Sequence, residues 1–198
     1  MKRRDVLKNM GFVAGYLVAT PSIISILQSC SSKKEPWVPM FLSVEQGIVL
    51  TNLSNVILPK TDIPSATELN VPQFFDKYIN EVLDLDVQEQ FKTAFQNIIS
   101  ILKTNFNENI ELVSDENYKA LLDTYMLVKD GIDPEREANP EFMDMTKSDF
   151  LNSVKYLCIS AYLTTEDIGE HVLKYDPIPT KYYCGDLQEL TGGKAWSL

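Results

Sequence analysis

The sequence predicts an all-α domain, a single irregular bundle of about five to six helices followed by an extended C-terminal tail. Three observations carry that prediction. Apolar residues recur at three- and four-residue spacing in successive segments between Ser43 and Ala161, two of those segments open on a capping-box pair, and no run sustains the alternation of a strand. The chain of 198 residues shows no internal repeat and no low-complexity tract.

Residues 1–29 read as an address rather than as part of the fold. A basic start, Arg3-Arg4-Asp5-Val6-Leu7-Lys8, precedes an uncharged run from Gly11 to Leu27 and the ending Leu27-Gln28-Ser29-Cys30. Those are the parts of an export signal. A cysteine directly after the small residue resembles a bacterial lipobox, so Cys30 is expected to become the lipidated first residue of the mature protein. A transmembrane helix needs about 20 apolar residues. This run has seventeen and is interrupted by Pro21, Ser22 and Ser25. Several acyl chains on Cys30 would hold the protein to a bilayer without a span, at about 0.8 kcal/mol per buried methylene. The Arg3-Arg4 pair, with the modest hydrophobicity of Gly11, Gly15, Thr20 and Pro21, looks like a twin-arginine signal, a route that moves folded cargo. The expected location is the periplasmic side of the cell envelope.

Residues 30–40 form a lipidated tether, with Pro36, Pro39 and no periodicity. The domain is predicted to span 41–198. Ser43 with Gln46 is a capping box, and Val49, Leu53, Val56 and Ile57 share one helical face before Pro59 ends it. A turn-rich connection from Lys60 to Val71 leads to Pro72, placed as the first residue of a helix with Phe75, Tyr78, Ile79 and Val82 inward. Phe91, Phe95, Ile98 and Leu102 mark a third helix; Tyr118, Leu121, Leu122 and Tyr125 mark a fourth, opened by Ser114. Lys129 to Met145, with Gly131, Pro134 and Pro140, reads as a long loop. Thr146 with Asp149 then opens a helix bearing Phe150, Val154, Leu157 and Ala161. From Gly169 onward the chain is rich in Tyr, Pro and Gly and is predicted to lie extended over a surface, its own or a partner's.

The net charge is −10, and loss of residues 1–29 removes Lys2, Arg3, Arg4 and Lys8 against Asp5, leaving −13. Such an acidic body excludes nucleic acid and electrostatic docking on anionic lipid. Cys158 and Cys184 are either a disulfide pinning the tail to a core helix or two free thiols, with Cys158 buried as a small hydrophobe. No Cys-x-x-Cys-His, metal-spaced Cys/His set, dinucleotide loop or phosphate loop occurs, so no catalytic, metal or cofactor residue is expected. His171, near Glu166, Asp167 and Glu170, is more simply an exposed histidine beside a short acidic helix than a general base. Phe74, Phe75, Phe91 and Phe95 read as core. Tyr162, Tyr175, Pro177, Pro179 and Trp196, together with Tyr182 and Tyr183, are candidates for a protein interface, where Tyr and Trp anchors are enriched.

Phe41-Leu42-Ser43, Val56-Ile57-Leu58-Pro59-Lys60-Thr61-Asp62, Pro64-Ser65-Ala66 and Val71-Pro72-Gln73-Phe74-Phe75-Asp76 occur in that order. Ala161-Tyr162-Leu163-Thr164-Thr165-Glu166 and Leu173-Lys174-Tyr175-Asp176-Pro177-Ile178-Pro179 follow. The series resembles the gluconate 2-dehydrogenase subunit 3 family, over nearly all of residues 41–198. Departures are Ser65 where glycine is usual, Thr180 after Pro179, and Cys184 directly after Tyr183. The resemblance implies a non-catalytic small subunit that accompanies a large flavin dehydrogenase of the glucose-methanol-choline type, acting on sugars, sugar acids or glycosides. It also implies FAD in that partner, haem c in a membrane cytochrome that accepts the electrons, and a twin-arginine signal lent to the large subunit. The competing expectation is a stand-alone envelope lipoprotein that binds carbohydrate or protein.

Overall fold

The computed structural model describes residues 37–127, 133–178 and 184–197. Arg3, Arg4, Cys30, Pro179, Tyr182 and Tyr183 lie outside them. The described residues are helical, with no β-strand beyond one isolated bridge.

Helix α1 (Val44–Ile57) starts where the capping box requires. The Gln46 amide donates to Ser43 Oγ at 3.2 Å and the Ser43 amide to Gln46 Oε1 at 2.9 Å. Such a cap contributes about 1 kcal/mol. Val49, Leu50 and Leu53 on its inner face are fully buried. After Pro59 the chain doubles back, the Ala66 amide donating to the Leu58 carbonyl at 3.1 Å. Asn70 then takes a left-handed conformation, φ 56°, to aim the chain into α2 (Val71–Val82). Pro72 is the second helical residue rather than the first, which costs nothing because that amide also has no partner within the helix.

Phe75 and Ile79 of α2 are buried as the spacing predicts, but Val82 is exposed and Tyr78 half-buried. Helix α3 (Leu85–Asn105) buries Phe91, Phe95, Ile98 and Leu102. A 3₁₀ turn, Ile110–Leu112, leads to α4 (Asp115–Tyr125), which buries Tyr118, Leu121 and Leu122 and leaves Tyr125 half-buried. The segment expected to be loop contains a short helix, α5 (Pro134–Ala138). Asp133 caps it through the amides of Glu135 and Arg136 at 2.8 and 3.4 Å, and Pro134 sits at a position that needs no N–H.

Helix α6 (Lys147–Leu163) opens on the Thr146–Asp149 capping box. It packs against α1, α2, α3, α4 and the short α7 (Glu166–His171), so α1 and α6 together form the centre of the bundle. Edge-to-face phenylalanines fill that centre: Phe75 on Phe91 at 6.1 Å, Phe91 on Phe150 at 6.0 Å, Phe95 on Phe150 at 4.7 Å. Leu157, expected inside, is only partly buried.

The tail is not extended throughout. Asp186 caps a last short helix, α8 (Leu187–Thr191), accepting from the Gln188 and Glu189 amides, and Gly192 closes it at φ 65°. Beyond it the chain pairs parallel to Lys174. The Lys174 amide donates to the Ala195 carbonyl at 2.8 Å and the Ser197 amide to the Lys174 carbonyl at 2.9 Å.

Candidate functional site

Two features stand out: a clasp on the chain's entry into the domain, and an exposed apolar face along α2 and α6. The clasp is built from Asp76. Asp76 lies four positions after the buried Pro72 on α2, and that spacing turns the carboxylate inward, where it is 1% exposed. It receives backbone amides from the incoming chain: Met40 to Oδ2 at 2.7 Å, Phe41 to Oδ1 at 3.2 Å and Leu42 to Oδ1 at 2.8 Å. Hydrogen bonds to a charged acceptor contribute about 1.5–3 kcal/mol each. Leu42 is buried beneath them, and Lys92 Nζ lies 4.3 Å above the Phe41 ring. The clasp therefore fixes the point at which anything upstream is joined to the bundle.

The apolar face runs along α2 and α6. Phe74, 53% exposed, stacks on Tyr78 at 6.0 Å, one helical turn away. Tyr78, Leu83, Val87, Met143, Tyr156 and Leu157 border an open groove of about 640 Å³. Tyr156 and Met143 stand 70% and 84% exposed. Ionic groups there are few: Arg136, Asp144 and Asp149, with Arg136 bonded to Asp149 at 2.6 Å. Phe74 also borders a second cavity of about 410 Å³, with Gln73, Lys77, Ala161, Thr164 and Thr165. Gln73 Oε1 is buried without a donor among the described residues. An acceptor in that state costs about 1–3 kcal/mol.

The interface candidates from the sequence divide. Tyr162 is corrected: it is 5% exposed, and its hydroxyl donates to the Pro64 carbonyl at 2.6 Å, tying α6 to the loop after α1. Burial, and then the charge of Glu68, push its pKa upward. Tyr175, Pro177 and Trp196 are exposed, and the bridge between Lys174 and Trp196 brings the two ends of the tail together. Of the two alternatives for Cys158 and Cys184, the structure has the free thiols and not the disulfide. Cys158 points into the bundle, 0% exposed and 3.3 Å from Ser54 Oγ, whereas Cys184 is exposed. Burial pushes the Cys158 thiol up to about 11, with the Ser54 hydrogen bond opposing it.

Phe74 belongs to the exposed face, while Phe75, Phe91 and Phe95 are core. The signal for that face was present in the sequence, since Phe74 and Tyr78 are four residues apart and on the flank opposite Asp76. A helical apolar pattern alone does not tell the covered flank of α2 from the open one. His171 is exposed at the end of α7. Among the described residues no three His, Cys, Asp or Glu side chains group as a metal site, and no helix is long and apolar enough to cross a membrane.

No curated protein and no solved structure matches the chain. The sequence model of the family described as gluconate 2-dehydrogenase subunit 3 matches residues 44–180, from the first residue of α1 to beyond the exposed Tyr175 and Pro177. With more than half of its length matched, the chain belongs to the gluconate 2-dehydrogenase subunit 3 family.

Proposed function

We propose that this chain is the non-catalytic small subunit of a periplasmic, membrane-associated flavin dehydrogenase that oxidises sugars, sugar acids or glycosides. Its membership in a family of dehydrogenase subunits is the observation that carries the reading. The catalytic partner holds FAD and passes electrons to a membrane cytochrome with haem c. The small subunit lends its Arg3-Arg4 signal so that the folded partner is exported, stabilises that partner, and holds it to the bilayer through acylated Cys30. The Asp76 clasp supports the last role in one respect: it fixes where the chain leading from the anchor meets the bundle.

Affinity purification of the tagged chain from its own membranes in mild detergent tests the proposal. A larger polypeptide with flavin absorbance and dye-linked sugar dehydrogenase activity is expected to co-elute. Recovery of the chain alone, with the activity elsewhere, refutes it. Metabolic labelling with a fatty acid is expected to mark the wild type and not Cys30→Ala.

A further inference from the structure

Residues 133–145 hold a defined shape although no side chain among them is buried. Phe142 and Met145 are half-buried, Met143 is 84% exposed, and α5 itself buries nothing. Polar bonds therefore fasten the segment. Asp133 Oδ2 accepts from the Thr146 hydroxyl at 2.7 Å, and Glu135 accepts from the Lys147 amide at 2.6 Å and pairs with the Lys147 ammonium. Arg136 donates to the Phe142 carbonyl at 2.8 Å and to Asp149 Oδ2 at 2.6 Å. Among the described residues these side chains bond only within the segment and to the start of α6, and none reaches α1, α2, α3 or α4.

That kind of hold is weak and sensitive to ions. Both ion pairs are partly exposed, so dissolved salt screens them. Lifting the segment uncovers little apolar surface, and it leaves α6 standing, because the Thr146–Asp149 capping box is complete without α5. The segment also walls the open groove: Arg136, Met143, Asp144 and Met145 line it together with Phe91, Ser153 and Leu157 of the bundle helices.

We propose that residues 133–145 are a strap, fastened by ion pairs and hydrogen bonds alone, that lifts from the start of α6 while the bundle stays folded and so opens one wall of the groove. Ionic strength sets how often it lifts. The groove is then adjustable on one side and fixed on the bundle side, whatever occupies it.

Hydrogen exchange of the full chain in mild detergent, read by mass spectrometry, tests the strap. Peptides covering 133–146 are expected to exchange at least about a hundredfold faster than peptides from the buried centres of α1 and α6. Raising NaCl from about 0.05 M to about 0.5 M is expected to speed the strap about threefold and leave those centres unchanged. Glu135→Ala with Arg136→Ala is expected to speed the strap about tenfold with the melting temperature of the bundle nearly held. The groove has its own readout in a Cys184→Ser background, where Ser153→Cys is expected to react with a maleimide about threefold faster once the double alanine change is added.

Strap exchange within about threefold of the α1 centre shows that the segment opens only with the whole bundle, and overturns the proposal. Fast strap exchange that salt leaves unchanged overturns the ionic fastening, and this arm needs only the wild-type chain. Labelling of Ser153→Cys that does not respond to release of the strap overturns its role as a wall of the groove.

Discussion

Asp76 gathers the amides of Met40, Phe41 and Leu42, and among the described residues no other single side chain holds together so much backbone from outside its own helix. Asp76→Ala leaves the buried Leu42 amide and the part-buried Met40 and Phe41 amides without their acceptor and is expected to cost about 3 kcal/mol in urea unfolding, with proteolysis opening near residues 38–42. Asp76→Asn, which keeps one acceptor oxygen, is expected to lose less. Equal stability of the Ala variant and wild type would show that the clasp carries no load. Tyr162→Phe tests the tie to Pro64 and is expected to lower stability by about 1 kcal/mol, read from the same denaturation curve. Thiol labelling of the folded chain at mildly alkaline pH is expected to modify Cys184 and spare Cys158, whose burial raises its pKa to about 11. These residues differ in how far sequence could reach them. Asp76 is visible as a carboxylate inside an apolar stripe, at the end of the Val71–Asp76 run that carries part of the family resemblance. Tyr162 and Cys158 each have a bland and a functional reading that only burial separates, and burial depends on what packs across from them.

Helix starts were the most legible elements. Ser43–Gln46 and Thr146–Asp149 are capping boxes in sequence and in structure, because a cap is satisfied within four residues and needs no tertiary context. Helix α5 was missed for the opposite reason: at five residues it has no apolar period, and its hold comes from outside. Asp133 Oδ2 accepts from the Thr146 hydroxyl at 2.7 Å, while Glu135 takes the Lys147 amide at 2.6 Å and pairs with the Lys147 ammonium. The start of α5 and the start of α6 are thus one hydrogen-bonded unit. Burial raises the Asp133 pKa, but the Thr146 hydroxyl and the Glu135 and Arg136 amides outweigh it, and the carboxyl stays below its ordinary 3.8. A depressed folded-state pKa means that this stabilisation is complete above the unfolded value and fades as pH falls through the folded one. Asp133→Asn is therefore expected to be slightly less stable than wild type at neutral pH, the gap closing below about pH 4. Urea melts at the two pH values check this, and a gap independent of pH would assign the effect to geometry rather than charge. The exposed flank of α2 was hidden by the same limit of local reading. Phe74 and Val82 fit a helical apolar pattern as well as Phe75 and Ile79 do, and only the position of α6 decides which flank is covered.

At the scale of the whole molecule, the helical class was legible because spacing and caps agree across the chain, and the family was legible in the order of short motifs now matched over residues 44–180. The way the bundle meets a partner was not, since interfaces are set by the partner's surface as much as by this one. The parts nonetheless form one arrangement: a leading segment fastened by Asp76, an acidic bundle centred on α1 and α6, and an apolar face along α2 that nothing in the described chain covers. The role proposed above, giving another enzyme its place in the envelope, draws on each of these parts. In cells from which this chain alone is deleted, the dehydrogenase activity of the envelope fraction is the direct measurement. The account predicts that the activity leaves the envelope, with the larger subunit held in the cytoplasm or degraded, and returns with the wild-type chain but not with Arg3→Lys/Arg4→Lys. Undiminished activity in the envelope of the deleted strain would contradict it.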